Sequence, residues 1–158
     1  MADFTDQERA RLERAPIVAG MAISLADPGG PIEAFKETSA SMRSILDTAL
    51  AEGQNELVES VAKGAAEKAR QRQNPLGDFK PRGAQAGDEI LSELSAVNQL
   101  LTEKATPEEA EAFREWLLGT AQRVAEAAKE GGFMGFRAER VSEGEQHMLD
   151  RLREVLSP

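Results

Sequence analysis

The side chains able to do chemistry in this chain of 158 residues are few in kind: there is no cysteine, one histidine, and 28 Asp and Glu against 19 Lys and Arg. Without cysteine there is no disulfide framework, thiolate zinc site, iron-sulfur cluster or thiol nucleophile. The lone His147 cannot build a multi-histidine metal centre. It sits beside Met148, off the apolar stripe of the last predicted helix, and reads as an exposed or partly packed structural residue. Ser39, Ser41 and Ser44 cluster on one predicted helix with no base at hand, so they read as polar helix-face contacts and not as nucleophiles. The run Gly131-Gly132-Phe133-Met134-Gly135-Phe136 follows no predicted strand and is followed by no Gly-Lys-Ser/Thr, which removes the phosphate loop. Carboxylates are so abundant that an acid/base pair means something only inside a pocket. No catalytic residue is assigned, and no cofactor is expected.

Two groups of residues remain as candidate binding sites. Asp27 and Glu33 flank one predicted turn and Glu143 and Glu145 flank another, and hard cations such as Ca²⁺ or Mg²⁺ need several such oxygens. Glu145 also closes the capping box Ser142-Glu143-Gly144-Glu145, which is its plainer role. For a protein partner the candidates are Phe133, Met134 and Phe136, which either plug the core or form an apolar contact, and the cations Arg70, Arg72, Lys80 and Arg82. Residues 63 to 82 hold six cations against Glu67 and Asp78, a local charge of +4 within a chain of net charge -9. These cations either sit as a solvated helix end, favoured by the helix dipole, or form a docking patch for an acidic partner. The overall negative charge repels phosphate backbones and argues against general nucleic-acid binding.

The elements that must position these groups are legible from caps, prolines and apolar spacing. A capping box at Thr5-Asp6-Gln7-Glu8 opens a first helix running to about Asp27, with a kink or break expected near Arg14 and Ala15 because Pro16 lacks a ladder donor. Pro28-Gly29-Gly30-Pro31 stops it, and a second helix starts at Pro31, with Ile32, Phe35, Met42, Ile45, Leu46 and Ala49 on one face, and ends near Glu52-Gly53. A third, about Asn55 to Arg72, carries a thin stripe of Leu57, Val58, Val61, Ala65 and Ala69. Pro and Gly crowd residues 73 to 87, which read as a linker or long loop and the best candidate for mobility. A fourth helix begins near Asp88 with Ile90, Leu91, Leu94, Val97 and Leu101. A fifth opens on the capping box Thr106-Pro107-Glu108-Glu109, carries Phe113, Trp116, Leu117, Thr120 and Val124, and ends at Gly131-Gly132. A sixth follows Ser142 with Met148, Leu149, Leu152, Val155 and Leu156.

These elements predict an all-α fold: one domain over residues 1 to 158, a bundle of six to seven helices. Aromatic residues make up only 4% of the chain and hydrophobic residues 41%, so the core must be aliphatic, which suits close helix packing better than a sheet. The apolar stretch Ile17 to Ala26 is too short for a membrane span of about 20 residues. The acidic start, Met1-Ala2-Asp3-Phe4-Thr5-Asp6, does not look like a secretory signal, so a cytoplasmic location is expected.

The first and fifth helices echo one another. Ala19, Ala22, Ala26, Gly29 and Gly30 superimpose on Ala121, Val124, Ala128, Gly131 and Gly132 at one constant offset. Either any two capped, Ala-rich helices ending in glycine look alike, or the chain is built of two pseudo-symmetric halves. Ala26-Asp27 before Pro-Gly-Gly-Pro, together with Val141-Ser142-Glu143-Gly144-Glu145, resembles the Ala-Asp-Gly and Val/Ile-Ser-x-x-Glu pattern of the tellurite-resistance TerB-like domain. The resemblance covers about a third of the chain and implies a pseudo-symmetric all-helical bundle whose acidic loop residues hold a metal ion. In the second half Lys129 stands where that pattern has Asp. The functional expectation is a non-enzymatic helical interaction or adaptor protein with a protein partner or a second copy of itself. The alternative is a stress-related protein binding Ca²⁺, Mg²⁺, Mn²⁺ or a small ligand through its acidic loops.

Overall fold

A computed structural model describes residues 3–26, 31–51, 53–82, 85–130 and 143–158, with the side chains of 31–39 and 128–130 left aside. Among these residues the chain forms six α-helices and no strand: α1 (Asp6–Ala26), α2 (Pro31–Leu50), α3 (Glu56–Arg70), α4 (Ala86–Lys104), α5 (Pro107–Glu130) and α6 (Glu143–Val155). The all-α bundle expected from the caps and stripes is therefore present.

The helix ends follow local chemistry. At α1 the Thr5 hydroxyl accepts from the Glu8 backbone N–H at 3.1 Å, and the Glu8 carboxylate accepts from the Thr5 backbone N–H at 2.9 Å, the full reciprocal box. Asn55 caps α3 by accepting from the Leu57 N–H at 3.0 Å. Thr106 caps α5 by accepting from the Glu109 N–H at 3.2 Å. Ser142, expected to cap α6, lies outside the described residues.

Pro16 does not break α1, which runs through it as one helix. A proline removes one ladder bond and strains the preceding turn. Here the surrounding helix is enclosed: Leu12, Ala15, Val18, Ala19, Ala22 and Ile23 are at most 1% exposed, and α1 packs against all five other helices. Apolar burial on every side, worth about 25 cal/mol per Å², outweighs the loss of one bond. Residues 15–20 are all buried, the mark of a core segment and not of a surface one.

Small residues let the neighbours come close to it. At Gly20 an added methyl group would meet the Ser41 Oγ of α2 in hard overlap and Val124 Cγ2 of α5 at 3.2 Å. At Gly64 of α3 it would overlap the Glu13 carboxylate, and at Gly144 of α6 it would stand 2.6 Å from the Ala26 carbonyl oxygen. The thin stripe of α3 thus gives close packing.

The remaining stripes mostly fall where the spacing put them. Ile90, Leu91, Leu94, Val97 and Leu101 of α4, and Phe113, Leu117, Ala121 and Val124 of α5, are buried. Phe113 meets Trp116 edge to face, with ring centroids 5.3 Å apart. On α2 the apolar face is rotated from the expected one. Leu46 is 43% exposed, while Ser41 and Ser44 are buried beside Ile45, and Ser44 shares a 2.9 Å hydrogen bond with Thr120 of α5. The hydroxyls face the core because only small side chains fit where α2 crosses α1 and α5, and Thr120 supplies the partner that a buried hydroxyl needs.

Lys104, at the end of α4, donates to the Glu8 carboxylate at 2.7 Å. That bond, then the Thr5 backbone N–H, holds the Glu8 carboxyl below the usual glutamate range. A lowered carboxyl favours the folded state above the unfolded pKa, and the contribution disappears as pH falls through the folded value. The stability difference between the wild type and Glu8→Gln should therefore shrink as pH is taken down through the glutamate range; a constant difference would contradict this. Gly20→Ala should cost about 1–3 kcal/mol by overpacking. Gly119→Ala meets nothing within 4 Å and should gain about 0.5–1 kcal/mol from helix propensity. Urea denaturation followed by the fluorescence of the single tryptophan reads both.

Candidate partner-binding groove

The Pro- and Gly-rich segment after α3 is built as a loop laid against the bundle. Arg72 and Gly77 take positive φ, 57° and 58°, and the Asn74 side chain accepts from the Leu76 N–H at 3.1 Å, an Asx turn that reverses the chain. Leu76 and Phe79 pack against the core from the loop. Farther along, the Arg82 N–H donates to the Glu89 carboxylate at 3.1 Å.

Beneath this loop lies a network of buried charge. Glu93 of α4, with its side chain 7% exposed, takes three N–H bonds on Oε1: from Arg11 Nε at 3.0 Å, Arg14 Nε at 3.0 Å and Arg14 Nη2 at 2.7 Å. Arg14 also lays its guanidinium over the Phe79 ring, 5.6 Å from the centroid, a cation–π contact that ties the loop to α1. On the other side of α1, buried Glu13 pairs with Lys68 of α3 at 2.9 Å. Sequence reading missed both buried glutamates. Their signal was there in part, since Glu13 and Glu93 interrupt otherwise apolar faces, but their partners lie on other helices.

Glu93, Phe79 and the start of α4 border a groove of about 610 Å³, lined also by Arg11, Asp78, Lys80, Asp88 and Glu89. Its mixed lining and wide mouth suit a polar segment of another molecule.

The six cations of residues 63 to 82 divide into paired and unpaired. Lys63, Lys68 and Arg70 are spent in ion pairs with Glu59, Glu13 and Glu67. Arg72, Lys80 and Arg82 are exposed and form no ion pair among the described residues, and of these Lys80 alone lines the groove. Phe133, Met134 and Phe136 lie outside the described residues. So does Asp27, and of Glu33 only its place in α2 is described. Glu143 is exposed and Glu145 is buried in the first turn of α6, and no group of three or more candidate metal ligands occurs among the described residues. His147 is exposed. No described helix is long and apolar enough to cross a membrane.

Removing the shared acceptor of a buried charge network leaves its cations unpaired, at about 3–5 kcal/mol when both partners are buried. Arg11 is 40% exposed, so solvent screens part of its share. Glu93→Ala should therefore cost about 2–4 kcal/mol, and Arg11→Ala less than about 1 kcal/mol. Equal losses in urea denaturation would contradict the network as described. No protein-family model, no curated protein and no solved structure matches this chain.

Proposed function

We propose that the chain is a non-enzymatic helical interaction protein that docks a partner protein across the groove between α1, α4 and the loop after α3. The observation that carries this reading is the groove itself: a cavity of about 610 Å³ whose floor is fixed by the Glu93 network and whose aromatic wall, Phe79, is held by Arg14. Such preorganisation lowers the ordering cost that docking otherwise incurs. The charged groups of the floor are engaged in structure, which suits recognition better than proton transfer.

Affinity capture from the organism that makes the protein tests this, using the wild type, Ser92→Trp, which fills the groove from an exposed lining position, and Arg153→Glu on the exposed face of α6 as a control. The proposal expects a captured protein that Ser92→Trp loses and Arg153→Glu keeps. Capture unaffected by either variant, or no capture by a wild type that stays monomeric in solution, would count against it.

A further inference from the structure

The chemistry of the partner follows from which charges at the groove are already used, an inference that rests on the docking reading above. Arg11 and Arg14 both direct N–H groups at one oxygen of Glu93, so the floor, two cations against one carboxylate, is engaged with itself. The rim is not. Asp78, Asp88 and Glu89 are exposed and form no ion pair among the described residues; Glu89 accepts only the Arg82 backbone N–H. Against these three carboxylates the rim sets one cation, Lys80. The rim is therefore negative, three carboxylates against one cation, and it lies on a chain of net charge -9, which raises the encounter rate for a positively charged group. Phe79 already accepts one guanidinium on its ring, the kind of surface that takes a cation in preference to an anion.

We infer that the groove receives an arginine- or lysine-bearing segment of the partner protein, its cations set against Asp78, Asp88 and Glu89. The run of cations between residues 63 and 82 left two readings open, a solvated helix end or a docking patch for an acidic partner; the groove favours a basic segment instead. Half of those cations are paired at home.

A fluorescein-labelled peptide of alternating arginine and glycine, and the same peptide with aspartate for arginine, titrated by anisotropy at low salt, test the inference. The arginine peptide should bind the wild type. Asp78→Lys with Asp88→Lys should weaken it at least tenfold, whereas Glu111→Lys with Glu115→Lys, on the exposed face of α5, should weaken it less than threefold. The two double variants carry the same net charge, which separates the groove from general attraction to an acidic protein. Asp78→Asn with Asp88→Asn, a milder change, should fall between and guards against a fold defect in the lysine variant. Equal weakening by both lysine pairs, or no binding of the arginine peptide, overturns the inference. Binding of the aspartate peptide that Lys80→Glu abolishes would overturn the sign of the partner while leaving docking at the groove intact.

Discussion

The structure depends on the enclosure of α1. Five helices pack around it, and a helix so surrounded must be narrow where they cross it. The Ala15, Ala19, Gly20 and Ala22 run meets this demand, with Ser41 of α2 and Val124 of α5 closing on Gly20. Large side chains are then placed between the crossings, where Leu12, Val18 and Ile23 are fully buried. A core of this kind gains its stability from apolar area and dense packing and needs few aromatic rings.

Enclosure also forces α1 to carry its polar residues inward or to its edges with partners in place. Burying a carboxylate is costly unless it is paired and hydrogen-bonded. Glu13 reaches Lys68 of α3, and Arg11 and Arg14 reach Glu93 of α4. These pairs link α1 to α3 on one side and to α4 on the other. The second pair also fixes the loop, because Arg14 holds Phe79. The groove is thus a consequence of how α1 disposes of its charge, and not an appendage to the bundle.

What the sequence revealed was whatever local rules control. The cap at Thr5 and Glu8, the stripes of α4 and α5, and the stops at proline and glycine depend on neighbours three or four residues away, and the helix bounds follow them within about two residues of the caps. The echo between α1 and α5 extends to burial, since Ala19 and Ala22 and their counterparts Ala121 and Val124 are all buried. What the sequence concealed depends on distant partners. The continuity of α1 through Pro16 is decided by its surroundings, the inward turn of Ser41 and Ser44 by close helix crossing, and the pairing of half of the basic run by acids such as Glu13, 55 positions before Lys68. The groove joins residues from α1, the loop and α4, so spacing along the chain could not assemble it.

Native-state hydrogen exchange of the α1 amides tests the central claim most directly. If α1 is the element that the others enclose, the amides from Leu12 to Ile23, Pro16 having none, exchange only through global unfolding and share one free energy of opening. Exchange of these amides through local opening, at a free energy well below that of α4 and α5, would contradict the account.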